Sequence, residues 1–222
     1  MNPALAFPPA PMTGATTVYT IANAPYGHGS YVASASSSVS GQHPPWKAFL
    51  SLNYPSVDYV FWSTALNYNT NTGVYSGVTT TVFGATTYSG DWLQIQLPTP
   101  IILDSYIIKP RTEYPSNLEF RRSPRTFVVL GSNDGTTWDL IDNRVNITNW
   151  TLDSKQWYAN SRNAYSFFRI VVNRVGNFDF DSSQTTANFG MAYYGFQDGF
   201  DNSAYFSKSQ IVKSSLVCLF YV

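Results

Sequence analysis

Apolar and polar residues alternate along much of this chain with a period of two, the period of a β-strand that faces a core on one side. In residues 91–97, Leu93, Ile95 and Leu97 fall on one face, while an indole and two amides fall on the other. Residues 167–172 repeat this pattern, and no segment keeps a helical period between capping residues. The pattern therefore predicts an all-β protein, in which two packed antiparallel sheets in a jelly-roll arrangement bury the apolar faces.

Residues 122–141 predict a hairpin. Residues 126–130 form an apolar, partly β-branched run, which is the composition of a buried strand. The residues Gly-Ser-Asn-Asp-Gly at 131–135 then interrupt the run, because they tolerate positive φ and cap turns with their own side chains. Trp138 opens the return strand, and we expect its indole to be buried.

A further hairpin strand is predicted between Trp62 and Trp92. Residues 78–83 are rich in β-branched and aromatic side chains, as strands are. Four glycines supply the bends around it, namely Gly73, Gly77, Gly84 and Gly90.

Composition limits the partners and the compartment. Charged residues make up 12% of the 222 residues, and 13 Lys and Arg balance 13 Asp and Glu, so we expect no nucleic acid partner. The single cysteine, Cys218, cannot form an internal disulfide, which favours a reducing compartment. The N-terminus does not resemble a signal peptide, and residues 216–222, the longest apolar run, are far fewer than the roughly 20 residues of a membrane helix. We therefore expect neither secretion nor membrane insertion.

Three parts are predicted along the chain. Residues 1–30 are rich in proline, alanine, threonine and glycine and predict an extended arm. Residues 31–195 form the β-sandwich domain. Residues 196–222 form a tail that ends in the apolar run. We expect the arm to lie across a neighbouring subunit, and the tail to add a strand to its own sheet or to that of a partner.

The order of several short motifs resembles a known family. The motifs are ASASSS at 33–38, WKAF at 46–49, FWS at 61–63, DWLQIQL at 91–97, the hairpin at 122–141 and SFFRIVV at 166–172. In this order they resemble the discoidin family, the galactose-binding-like C-type domain of coagulation factors. The resemblance covers residues 31–195 and implies a discoidin-like jelly-roll β-sandwich with an inserted hairpin and extended terminal segments.

The insertion is similar to a narrower group. Together with YSGDWLQIQLP at 88–98 and the segment that follows, it looks like the discoidin-type proteins of large icosahedral DNA viruses of algae and protists. This resemblance implies a virion assembled in the host cytoplasm.

Candidates for chemistry are few. His28 and His43 fall in predicted loops without a neighbouring nucleophile or orienting acid, and Cys218 lies in an apolar run. We therefore expect no catalytic residues and no enzyme activity. Many discoidin-like carbohydrate modules hold calcium through an aspartate at a position that Leu50 and Ser51 occupy in this chain. Since calcium needs oxygen ligands, we expect no metal and no cofactor.

The resemblance implies that ligands or partners bind in the loops at one end of the sandwich. Tyrosine and tryptophan rings stack on sugars or insert into protein grooves, and arginines donate hydrogen bonds to hydroxyls and carboxylates. A core position is the alternative for Trp62, and the exposure of Tyr54 and Tyr59 is left open. The candidate binding residues are Tyr54, Tyr59, Trp62, Arg111, Tyr114 and Arg121.

The sequence predicts a non-catalytic interaction module. The first hypothesis is a minor capsid or surface component of a large DNA virus, with other capsid proteins as partners. The alternative is a carbohydrate-binding, lectin-like module that recognises surface glycans. The two hypotheses differ in whether the purified chain binds glycans on its own or acts only within an assembly.

Overall fold

The computed structural model describes residues 7–20, 27–50, 62–65, 67–69, 71–108, 122–148, 150, 155–159 and 161–176, and the backbone of 192–193 and 213–214. Within these ranges 3₁₀ structure occurs at Pro45–Phe49, which contains the WKAF motif, and at Arg122. No helix there has the length and apolar character needed to span a bilayer. Strands make up the rest of the regular structure, which confirms the predicted all-β class.

The strands follow the predicted runs closely. In chain order they are β1 Thr16–Tyr19, β2 Gly29–Ala35, β3 Trp62–Ser63, β4 Thr80–Phe83, β5 Thr86–Ser89, β6 Asp91–Leu103, β7 Ser105–Ile108, β8 Pro124–Ser132, β9 Asp139–Arg144, β10 Lys155–Tyr158, β11 Ala164–Val175, β12 Ala192–Tyr193 and β13 Lys213–Ser214.

One large sheet carries most of the fold. Its strands lie in the order β1, β2, β6, β11, β8 and β9, with antiparallel neighbours, and β13 runs parallel to the end of β6. On β6 and β11 the alternate residues that the sequence assigns to one face, such as Leu93 and Ile170, lie in the main core. The sheet register pairs these two residues directly.

Shorter strand pairs form the second layer across the main core. Strand β10 pairs with β7, and β12 pairs with β3. The ring of Tyr106 on β7 stacks on Trp157 of β10 at 5.5 Å, and Phe127 of the large sheet meets Trp157 edge-on at 5.8 Å. Aromatic packing of this kind joins the two layers into a sandwich.

The other face of the large sheet has a second, smaller core. Trp138 is buried there with Val128, Leu130 and Val171, as the hairpin at 122–141 predicts. Strands β4 and β5 form an antiparallel hairpin whose Phe83 and Tyr88 pack against this cluster. The predicted insertion is therefore a hairpin that covers part of the outer face.

Residues 7–20, part of the predicted extended arm, contact the sandwich of their own chain. Strand β1 pairs with β2, Met12 is fully buried, and Phe7 is 5% exposed. The backbone N–H of Met12 donates to the carbonyl of Phe49 at 3.0 Å. Proline removes a backbone donor, yet a proline-rich segment can still bury apolar side chains against a neighbouring sheet. Residues 7–20 therefore pack on the sandwich of their own chain, while the boundary at residue 30 and a contact of the arm with a neighbouring subunit stay predictions.

The predicted tail has one described part. Strand β13 pairs with β6 of the same chain, so this part of the tail adds to its own sheet. The apolar residues 216–222 lie outside the described residues, and their placement stays a prediction.

Met12→Ala should destabilise the isolated domain by about 2–5 kcal/mol, because it removes a fully buried side chain and leaves a cavity. Val18→Ala is the matched control, since Val18 lies on β1 and is 68% exposed. Urea unfolding followed by tryptophan fluorescence measures both variants. Equal midpoints for the two variants would show that residues 7–20 do not stabilise the fold.

Trp138→Ala should lower the free energy of unfolding by about 3–5 kcal/mol, the range of large aromatic truncations in cores. Tyr158→Ala provides the comparison, because Tyr158 is 73% exposed. Thermal unfolding by circular dichroism is the measurement. A Trp138→Ala melting curve that overlaps the wild type would contradict the second core.

Candidate functional site: the loop-bearing end of the sandwich

One end of the sandwich gathers the flanks of several undescribed ranges. At this end β6 and β8 begin and β11 finishes, with Asp91 opposite Val172 and Pro124 opposite Val175. Just beyond them, the N–H of Gly176 donates to the carbonyl of Ser123 at 2.9 Å. We call this end, which is defined by residues 91, 123 and 176, the Asp91 end.

The predicted binding loops are attached to this end. Trp62 follows the undescribed range 51–61, and Arg122 follows the undescribed range 109–121. These two ranges contain the predicted site residues Tyr54, Tyr59, Arg111, Tyr114 and Arg121, which therefore lie outside the described residues. The structure brings together the described flanks of these loops, and the roles of those five side chains stay predictions.

A buried carboxylate organises the Asp91 end. Asp91 is fully buried, and its Oδ1 accepts hydrogen bonds from the hydroxyls of Ser36 at 2.7 Å and Ser37 at 3.0 Å. The amide of Asn67 donates to Oδ2 at 3.3 Å. Burial raises the pKa of Asp91, and its hydrogen bonds with serine, asparagine and Thr64 oppose that rise. The carboxylate thereby ties the end of β2 and the residues after β3 to the first residue of β6.

Trp62 lies in the core, which is the alternative that the sequence gives for this residue. Its ring is fully buried, and its indole N–H donates to the carbonyl of Ser37 at 2.9 Å and to the hydroxyl of Ser38 at 3.2 Å. A buried indole needs such a partner, which the serine run supplies. Trp62 therefore packs in the core at the Asp91 end, and its ring is not exposed to a ligand.

The first part of the insertion is fastened to the end of β11. Tyr75 donates its N–H to the carbonyl of Asn173, and Val175 donates to the carbonyl of Gly73, both at 2.8 Å. The hydroxyl of Tyr68 donates to the carbonyl of Val172 at 3.0 Å. These bonds hold residues 67–69 and 71–76 against the end of β11, as a fixed wall at the Asp91 end.

The sequence alone predicted neither the hydrogen bonds of Asp91 nor the attachment of the wall to β11. Ser36 and Ser37 belong to the ASASSS motif, and that motif gives no sign that their hydroxyls bind a carboxylate 54 or more positions away. One local signal for the wall was present, namely Asn69. Its Oδ1 accepts the N–H groups of Asn71 at 2.9 Å and Thr72 at 3.0 Å, which is an Asx turn.

The described residues hold no obvious reactive constellation. Among them, no group of three or more His, Cys, Asp or Glu could hold a metal ion. Leu50, at the position where the family places its calcium-binding aspartate, is buried at 7% exposure. His43 lies in a bend before the 3₁₀ helix, in agreement with the predicted loop, and is buried at 8% exposure. Cys218 lies outside the described residues.

No family model matches this sequence, and no curated protein matches it. Solved structures with a similar fold include a family 32 carbohydrate-binding module from Clostridium perfringens in complex with GalNAc-β-1,3-galactose (14% identity, 65% of this chain and 85% of that chain, TM-score 0.44). A family 32 module from Streptococcus pneumoniae gives 12% identity over 67% of this chain and 80% of that chain, with a TM-score of 0.43. The lectin domain of lectinolysin, complexed with Lewis b antigen, shows 12% identity over 72% of this chain and 85% of that chain, with a TM-score of 0.42. At these identities and TM-scores, the likeness assigns no ligand to this chain.

The raised pKa of Asp91 predicts a pH dependence of stability. Because the native carboxyl holds its proton more tightly than the unfolded one, its contribution to stability is fully present below the ordinary value of 3.8. That contribution is lost as the pH rises through the native pKa. The melting temperature of the wild type minus that of Asp91→Asn should therefore fall as the pH is raised from about 4 to 8.

Differential scanning calorimetry of the two proteins across this pH range makes the measurement, and the subtraction removes the titration of all other groups. A difference that grows with pH would mean that the serine and asparagine hydrogen bonds outweigh burial.

Proposed function

We propose that this chain is a non-catalytic glycan-binding module whose ligand site lies at the Asp91 end. The observation that carries the proposal is the meeting, at this end, of the described flanks of the two predicted binding loops, Trp62 after the range 51–61 and Arg122 after the range 109–121. The buried Asp91 network gives these flanks a fixed base, because it joins three separate segments of chain. Loops on a rigid scaffold are where binding residues concentrate.

The residue types in the loops suit sugars. Tyr54, Tyr59 and Tyr114 offer flat rings with a polar tip, which stack on the apolar faces of sugar rings. Arg111 and Arg121 offer planar donors for sugar hydroxyls. With a formal net charge of +0, the chain has no overall field that would draw in polyanions.

The virion setting and the capsid partners stay predictions, because no observation in the described part of the chain bears on them. The glycan alternative is preferred here. It needs only the residues of this chain, whereas a capsid role also needs contacts with other proteins.

Replacing the loop tyrosines tests the proposal. The wild type, displayed multivalently on beads, should bind a subset of glycans on an array, and Tyr54→Ala and Tyr59→Ala should lose at least tenfold in apparent affinity. Multivalent display is needed because single sugar contacts are weak. Tyr158→Ala is the matched control, since it removes an exposed tyrosine from β10 in the second layer.

Circular dichroism should show the same fold for all four proteins. Absence of glycan binding by the multivalent wild type would refute the proposal. An equal loss in Tyr158→Ala would refute the location of the site at the loops.

A further inference from the structure

Part of the outer face of the large sheet lies beside the β4–β5 hairpin and is not covered by it. Cross-strand partners define this area. Gln96 on β6 lies between Val32 and Phe167, and Gln94 lies next to Ser34, with Thr16 of β1 beyond Val32. Thr16 is exposed and the other five are half-buried. We call this area the open face, formed by Thr16, Val32, Ser34, Gln94, Gln96 and Phe167.

A cation fixes the position of one amide on the open face. The guanidinium of Arg169 lies 4.1 Å from the ring centre of Trp92 and 4.1 Å from that of Trp138. It donates to Oε1 of Gln94 through Nε at 3.0 Å and Nη2 at 2.7 Å. Because two donors hold Oε1, the amide cannot flip without losing both bonds. Its Nε2 is thereby presented as a donor in a fixed direction, which lowers the entropic cost of binding.

Unused hydrogen-bonding groups remain on this surface. Within the described residues, neither Nε2 of Gln94 nor the amide of Gln96 has a protein hydrogen-bond partner. Half-exposed amides of this kind are hydrated, and a ligand that replaces their water must supply hydrogen bonds of its own. The ring of Phe167, opposite Gln96 on β11, adds an apolar surface beside these amides.

Charge narrows the class of ligand. Arg169 is the charged side chain that holds Gln94 of the open face, and its Nη1 donates to Thr81 of the hairpin at 3.2 Å. Burial lowers the pKa of Arg169 to about 10, so the cation persists at neutral pH. Its bonds to Gln94 and Thr81 and its position between two indoles leave it poorly placed to hold a phosphate or a carboxylate. The surface therefore fits a neutral ligand that has both hydroxyls and apolar ring faces.

We propose that the open face is a second binding surface, which takes a neutral polysaccharide chain laid across β1, β2, β6 and β11. The inference rests on the proposed glycan-binding function and adds a site away from the loops. The β4–β5 hairpin forms a wall along one side of this surface, because Thr81 is bound to Arg169 and Phe83 and Tyr88 pack on the outer cluster. A second copy of this chain would need a more apolar centre than one valine and one phenylalanine among amides and hydroxyls.

Affinity gel electrophoresis tests the inference with a soluble galactan, a mannan and a β-glucan as probes. The wild type should be retarded by at least one of them, and Gln96→Ala should weaken that retardation roughly tenfold, the effect of losing one well-placed hydrogen-bonding partner. Gln156→Ala is the matched control, because Gln156 is an exposed glutamine on β10 in the other layer. The second variant is Gln96→Glu, which keeps the shape of the side chain but removes its hydrogen-bond donor. The binding of short glycans on the array should be unchanged in Gln96→Ala and in Gln96→Glu.

The outcomes separate the two proposals. If polysaccharide retards Gln96→Ala and Gln96→Glu as strongly as it retards the wild type, the open-face site is overturned and the loop site is unaffected. The same holds if no polysaccharide retards a wild type that still binds the array. If the wild type binds neither the polysaccharides in the gel nor the glycans on the array, both proposals are overturned. Size-exclusion chromatography provides the last outcome. If the wild type elutes as a dimer and Gln96→Glu elutes as a monomer, the open face binds a second copy of the chain.

Discussion

The register between β6 and β11 is the constraint on which the rest of the structure depends. It sets Leu93 opposite Ile170 and Gln94 opposite Arg169 at the centre of the large sheet. Because successive residues point to opposite faces, a slip of one residue would turn the arginine into the main core and the aliphatic residues out of it. Burying an unpaired cation among aliphatic side chains costs far more than any single strand pairing returns. One register is therefore strongly preferred, and it creates two different surfaces from one strand pair.

The outer surface shows how a charged residue is accommodated where the sheet is partly covered. Arg169 loses water when the β4–β5 hairpin packs above it, and two indoles with the oxygens of Gln94 and Thr81 replace that water. Stacking and hydrogen bonding of this kind make a half-buried guanidinium tolerable. The bond to Thr81, together with the packing of Phe83 and Tyr88 on the outer cluster, holds the hairpin in place. Arg169 therefore helps to join the insertion to the sheet, which explains why a polar residue stands in the middle of a buried strand.

The sequence reveals most of the sheet but little of its loop-bearing end, for a physical reason. Alternation and turn residues are local signals, so the β6 and β11 faces, the buried Trp138 and the inserted hairpin could all be predicted. Met12 could not, because its burial depends on the carbonyl of Phe49 and on strands that follow later in the chain. Asp91 has the same difficulty, since a carboxylate that begins a strand looks solvated until the serines that bind it are known. Trp62 stayed undecided between surface and core until its partner Ser37 was located.

The two proposed surfaces are joined by a few residues of β6. Asp91 anchors the loop-bearing end, the next residue, Trp92, stacks on Arg169, and that arginine orients Gln94 on the open face. No flexible connection lies between these positions, because all three residues belong to one strand at the centre of the sheet. If a glycan chain reaches both surfaces, the second contact is made at an effective concentration fixed by the scaffold instead of by a linker. Weak individual sugar contacts then add up to useful affinity because the strand has already fixed their spacing.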